Sequence, residues 1–442
     1  MKRRNPPQVF IFVFFFTFFL ISCNSGIEND KKGINSLYLP DINSLYENYG
    51  QLDSTGAYNS FANTLVNANR DLNSSELYVE AASLYAQAGQ SDSVAILLHR
   101  AIDNGMANPK IISKLHGLRD YSDSPLWQEL QRRLDSINSE LQDVSHYSME
   151  IGSMNQFWDY FERAANDTSN AKDIFKEFIF KGPNELRDFY VVRYINLNAM
   201  YGQMINASPE YFHYLKNQFN PDSLEALKSK TTDWMRNFKS IYPKAVFPKV
   251  YIVPGILNSG GTATEMGLFI GGDMYGRSET MPTEGLTNWQ KDAIMKVSDL
   301  PALTLHELMH FQQNYQDTEN KETVLAQVIS EGVCDFLVEL CSGEELKNSN
   351  LTYLSDQEKE LKIMEDLKND LFSEDNSKWL YNGGSITDRP HDLGYTVGYM
   401  ICKSYYRNAP DKENAVFELL NTNDFLTILK GSDYSFLLEK DL

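Results

Sequence analysis

The stretch Leu300-Pro301-Ala302-Leu303-Thr304-Leu305-His306-Glu307-Leu308-Met309-His310-Phe311-Gln312-Gln313-Asn314-Tyr315 decides the reading of this chain. Proline suits the first position of a helix, where its missing N–H would have no partner in any case. No breaker follows before Tyr315, so the run predicts a helix. His306 and His310 are four apart and project from one face of it. Two imidazoles so placed can hold one metal ion at about 2.0–2.1 Å each, and zinc is the expected ion. Glu307 is turned aside from that ion but can reach a water on it. There it is expected to act as general base and then to pass the proton to a leaving amine. Five residues of this kind also arise by chance on surface helices. The whole chain has only seven histidines, however, so two at this spacing carry weight.

Catalytic zinc commonly takes three protein ligands and keeps a fourth position open. A second predicted helix, residues 324–340, carries Ser330-Glu331-Gly332-Val333-Cys334-Asp335. The gap from His310 leaves room for a loop and a return. Glu331 and Asp335 share a face of this apolar helix, where acids are costly unless paired or metal-bound. Glu331 is the expected third ligand. Asp335 is then the expected acceptor that fixes the tautomer of a zinc-bound histidine, His306.

His-Glu-x-x-His followed by Glu-x-x-x-Asp at this distance resembles the gluzincins, the thermolysin-like metallopeptidases. The wider chain is similar to a family of predicted zinc-dependent proteases of bacteria, with a relative among gliding-motility lipoproteins. The matching stretches are Asn155-Gln156-Phe157-Trp158, residues 178–189, 251–272, the two zinc helices and 392–405, within a span of about 146–435. The resemblance implies an α+β zincin-like domain with a small sheet, bound Zn2+ and a peptide or protein substrate. The gliding-motility relatives imply a second possibility. There the chain is a non-catalytic lipoprotein of a surface, gliding or secretion complex, and its zinc site is structural or vestigial. The intact Glu307 favours catalysis, because a structural zinc needs no general base.

A peptidase also needs an oxyanion donor and an edge strand for the substrate backbone. Residues 266–270 read as that strand. Residues 246–253 read as its hairpin partner or neighbour, across Pro254-Gly255 and a turn at Ser259-Gly260-Gly261-Thr262. These glycines match no nucleotide fingerprint. Donor candidates lie in Arg389-Pro390-His391-Asp392-Leu393-Gly394-Tyr395, a polar loop leading into a helix. His391, Tyr395 and Arg389 could each donate, and each also reads as an ordinary cap or core residue. The resemblance singles out Tyr395, within Leu393-Gly394-Tyr395-Thr396-Val397-Gly398-Tyr399.

At the other end, Lys2-Arg3-Arg4 precedes an apolar run over 9–20 that is too short to span a bilayer. Leu20-Ile21-Ser22-Cys23 resembles the lipobox of bacterial lipoproteins, which implies acylation of Cys23 and a lipid anchor in the cell envelope, at the outer membrane. Residues 23–41 are read as a tether and 42–145 as an all-α domain. Within it Tyr78, Ala81, Ala82, Tyr85, Gly89, Val94, Leu98 and Ala101 resemble a tetratricopeptide repeat. That domain is either a partner-binding surface or structural packing. The remainder, 146–442, is the zincin-like domain. A net charge of −20 argues against nucleic acid as a partner. The cysteines Cys334, Cys341 and Cys402 are expected as buried small hydrophobes rather than disulfides.

Overall fold

The computed structural model describes residues 33–47, 57–115, 124–218, 221–315, 322–383, 386 and 388–438. The expected signal peptide, Cys23 and most of the tether lie outside them. Tyr38–Leu442 forms one compact unit. The described part of the other, Met1–Leu37, is a short turn of 3-10 helix at Ile34–Ser36.

The unit is mostly helical, with one small sheet. Its N-terminal part stacks helices Tyr58–Ala68 (α1), Ser75–Gln87 (α2) and Ser91–Asp103 (α3). Ser74 caps α2 by accepting the Leu77 N–H. Tyr78, Ala81, Ala82 and Tyr85 on α2 are buried, as are Val94, Leu98 and Ala101 on α3. Alternating large and small apolar residues let the two helices approach closely.

The sheet has strands Met149–Glu150 (β1), Val250–Val253 (β2), Gly261–Ala263 (β3) and Leu268–Gly271 (β4), in the order β1-β2-β4-β3. The alternation over 246–253 and 266–270 predicts a hairpin or neighbouring strands. The two are neighbours, but parallel, with Val250 opposite Leu268 and Ile252 opposite Ile270. The hairpin is instead β3 with β4, turned over 264–267, where the Thr264 N–H donates to the Gly267 carbonyl at 2.8 Å. Consequently β4 lies inside the sheet and β3 is the edge, which corrects the expectation that 266–270 supplies it. The reason is burial: Val250-Tyr251-Ile252-Val253 and Leu268-Phe269-Ile270 are apolar without a polar face, as central parallel strands are. Residues 246–249 stay outside the sheet. The Val246 and Phe247 N–H groups donate to Gln312 Oε1 at 3.1 Å and to the Leu141 carbonyl at 2.7 Å.

Four further helices frame the site: Pro221–Ile241 (α4), Leu300–Gln312 (α5), Val324–Ser342 (α6) and Leu393–Asn408 (α7). Pro301 opens α5 as expected. Gln312 pins its far end, because Gln312 Nε2 also donates to the Val246 carbonyl at 2.8 Å. Most of α6 is buried, and α7 lies across it. Their backbones touch at Gly332 and Gly398, where a Cβ on Gly332 would stand 2.0 Å from the Gly398 carbonyl carbon. Cys334, Cys341 and Cys402 are buried free thiols in or near this seam. Residues 182–204 read in sequence as one helix, which does not form. That stretch breaks into Glu185–Phe189, a π-helix Tyr190–Tyr194 and Leu197–Tyr201, with Ile195 between them at φ 68°. No helix among the described residues is long and apolar enough to cross a membrane.

Candidate metal centre

The helical spacing brings His306 Nε2 and His310 Nε2 within 3.2 Å of each other on α5. Glu331 comes from α6, and its Oε2 lies 3.3 Å from His306 Nε2 and 3.1 Å from His310 Nε2. The three atoms form a nearly equilateral triangle. A tetrahedral ion with bonds of about 2.0–2.1 Å spaces its donors by roughly 3.3–3.4 Å, so this set fits zinc.

The far side of each donor group is also held. His306 Nδ1 lies 2.9 Å from Asp335 Oδ1, one turn beyond Glu331 on α6. His310 Nδ1 lies 3.0 Å from Gln313 Oε1. Gln313 is fixed in turn by α6, accepting from Ser330 Oγ at 3.0 Å and donating to the Ser330 carbonyl at 2.7 Å. Glu331 Oε1 accepts the Tyr381 hydroxyl at 2.5 Å. Such partners fix ring orientation and tautomer and leave the inner atoms free for an ion. Cys334 Sγ approaches His310 from the Nδ1 side, at 3.5 Å. Ligand atoms of His306, His310 and Cys334 lie within 4.8 Å of one another, but the thiol meets His310 on its Nδ1 side, away from the Nε2 edge that faces Glu331.

The charges of the centre are strongly coupled. Burial works against a proton on His306, but Asp335 and Glu331 outweigh it and hold the imidazole well above the usual histidine range. The same contest raises His310, with Glu331 the main opposing charge. Burial pushes Glu331 up, and the two histidines pull it further down, to well below the usual carboxylate range. Glu307 is raised by burial. The edge strand passes directly over it: a Cβ on Gly261 would lie 2.6 Å from Glu307 Cγ and Oε1. Only glycine lets β3 approach the carboxylate this closely.

Of the three donor candidates, Tyr395 reaches the centre. Its ring centroid lies 6.2 Å from that of His306 and 6.2 Å from that of Tyr381. His391 is half-exposed and turned to Asp392, with 3.3 Å between Nδ1 and Oδ2. None of its hydrogen bonds among the described residues reaches the triangle. Arg389 stacks on Trp379 at 4.5 Å and donates to the Lys378 carbonyl at 2.8 Å, bracing the loop. Tyr381, Gln313 and Arg193 also belong to the surroundings of the centre, and only Gln313 had a local signal in the sequence. Gln313 follows His310 by three residues and could have been found as a neighbour one turn on. Tyr381 stands in a polar turn, and Arg193 in an unremarkable apolar run.

No curated protein and no solved structure matches this chain. Residues 137–436, well over half the chain, match the family described as Gliding motility protein GldB. The match spans the sheet, α5, α6 and α7, and agrees with the resemblance to gliding-motility lipoproteins. The chain belongs to the gliding motility protein GldB lipoprotein family.

Proposed function

We propose that the protein is a cell-envelope component of a gliding-type apparatus whose working part is a zinc centre that hydrolyses peptide bonds. The observation that carries this reading is the triangle of His306 Nε2, His310 Nε2 and Glu331 Oε2, with Glu307 beside it under β3. His306, His310 and Glu331 would hold the ion. When bound, zinc would supply Lewis acidity and an acidified water. Glu307 takes up the proton and delivers it to the leaving amine, and burial raises its basicity for that task. Tyr381 holds Glu331 through its hydroxyl, and Tyr395, beside His306 and Tyr381, would be the hydroxyl placed to turn towards a reacting carbonyl. The open edge of β3 offers main-chain groups to an extended substrate. An antiparallel edge strand beside the metal-binding helix is also what a zincin-like fold requires.

The family match favours a second reading, a non-catalytic component in which the centre fixes α5 against α6. One comparison separates the two. Full-length protein in detergent, wild type and Glu307→Gln, is assayed for zinc content and for cleavage of a mixed peptide library. Hydrolysis predicts zinc in both and a loss of cleavage of about a hundredfold or more in the variant. Zinc in both, with cleavage in neither and unimpaired gliding in cells carrying Glu307→Gln, selects the second reading.

A further inference from the structure

Arg193 is a partly buried cation whose main opposite charge is Glu307. Its Nε donates to Thr262 Oγ1 at 2.5 Å and its Nη2 to the Gly261 carbonyl at 3.3 Å. Among the described residues Nη1 has no hydrogen-bond partner, and the guanidinium forms no ion pair. Glu307, Tyr381 and Tyr395 are the ionisable groups nearest its charge. Arginine stays charged at ordinary pH, and a buried charge left unpaired is costly.

The backbone that places it is strained. Arg193 rides on the π-helix Tyr190–Tyr194, a rare form that is frequent at functional sites. The helix ends at Ile195, a β-branched residue at φ 68°, in the left-handed region that such side chains rarely adopt. Asn258 ties this turn to the approach to β3, donating to the Arg193 carbonyl at 3.0 Å.

Register fixes where the guanidinium lies. The Gly260 carbonyl accepts from the Gly271 N–H, and Thr262 is opposite Phe269. Main-chain groups alternate along a strand, so those of Gly261 and Ala263 face the open edge. Arg193 meets the Gly261 carbonyl on that side, next to Glu307. An extended ligand added to this edge would run past the guanidinium.

We propose that Arg193 binds a carboxylate carried by the ligand, so that the centre selects peptides with an anionic group beside the reacting bond. This rests on the peptide reading of the centre. The carboxylate is either the free C-terminus of the peptide or an acidic side chain, and both suit the bidentate geometry of a guanidinium. In a chain of net charge −20, such a cation supplies selectivity that the protein's overall field opposes.

The test is calorimetric binding to the zinc-loaded full-length protein in detergent. Three acetylated alanine tripeptides serve as probes: a free C-terminal carboxylate, a C-terminal amide, and an amide with glutamate as the last residue. At least one carboxylate peptide should bind tenfold or more tightly than the neutral amide. Arg193→Gln should abolish the difference and Arg193→Lys retain part of it. Preference for the free terminus identifies an exopeptidase-like site, and preference for glutamate identifies side-chain recognition. Equal binding of all three by wild type overturns the proposal and leaves the peptide reading standing. A preference that survives in folded Arg193→Gln also overturns it. No binding of any probe removes the peptide reading and this proposal together. A carboxylate preference without cleavage supports the proposal and removes only hydrolysis. The wild-type comparison needs no variant, so it holds whether or not Arg193→Gln folds.

Discussion

At the scale of single residues, each candidate donor of the centre is aimed by a partner: His306 by Asp335 and Glu331 by Tyr381, both from other segments, and His310 by Gln313, at the end of its own helix. Replacing such a partner weakens metal binding without removing a ligand. Gln313→Ala should therefore lower zinc affinity about tenfold to a hundredfold, read by competition with a chromophoric chelator. A change below twofold would contradict the role given to Gln313. Protonation provides a second check. In the metal-free protein Asp335 and Glu331 raise His306, and Glu331 raises His310. The stabilisation this gives is fully present below the ordinary histidine value of about 6.5 and is lost as pH rises through the raised folded values. On the proposed zinc reading the ion would have to displace these protons, so its apparent affinity should rise over the same window. Calorimetry at pH 7 in buffers of different ionisation enthalpy should show net proton release on zinc binding. Binding with no release would rule out the charge state described.

At the scale of elements, the centre depends on the crossing of α6 and α7. Gly332 immediately follows the candidate ligand Glu331, and Gly398 meets it from α7. A Cβ on Gly398 would stand 1.8 Å from the Val328 carbonyl oxygen. Neither backbone can yield without tilting a whole helix, so Gly332→Ala or Gly398→Ala should destabilise the protein by about 3 kcal/mol. Urea unfolding of either variant measures this, and a loss under ~0.5 kcal/mol would show that the crossing is loose. The stretch Leu393-Gly394-Tyr395-Thr396-Val397-Gly398-Tyr399 thus has two physical roles. Gly398 allows the crossing, and Tyr395 faces the centre. The loop before α7 is clamped by a reciprocal pair in which the Asn382 and Asp392 N–H groups donate to each other's side chains, at 2.9 and 2.8 Å. The clamp holds Tyr381 at φ 56° with its hydroxyl on Glu331. Its neighbour Asn382 is almost fully buried while Tyr381 itself is 69% exposed, so Asn382 anchors a turn that lies at the surface.

At the scale of the whole molecule, the N-terminal helices grip the element that carries the edge strand. The Glu265 N–H, in the turn between β3 and β4, donates to Glu76 Oε1 of α2 at 2.8 Å, and the Ala107 N–H donates to the Glu265 carbonyl at 2.8 Å. Nearby, Asp188 is buried beneath the start of α2 and accepts from the hydroxyls of Ser74 and Ser75. Burial pushes its carboxyl up to about 6, against the opposing pull of those hydrogen bonds. A folded value above the unfolded one favours the native state when the group is protonated. This contribution is complete below about 3.9 and is lost as pH rises through about 6. Asp188→Asn has no such titration. The melting-temperature advantage of wild type over this variant should be larger at pH 4.5 than at pH 7.5, by scanning calorimetry on both proteins. A constant difference across that range would show that Asp188 is ionised throughout.

What the sequence alone determined was local geometry. His306 and His310 share a face because a helix repeats every 3.6 residues, and Glu331 and Asp335 share one for the same reason. These two spacings depend on nothing beyond their own helices, so the residues of the triangle could be named before any packing was known. The burial of Tyr78, Ala82, Val94 and Leu98 was readable on the same ground. Only the tertiary structure decided which strand lies at the edge, because pairing in parallel or antiparallel register is fixed by burial against the whole sheet. It alone placed Tyr381 on Glu331, and it set Arg193 beside Glu307 from a helix more than a hundred residues away in sequence. These placements depend on closing long loops and on backbone contacts such as Gly332 with Gly398, which no local pattern encodes.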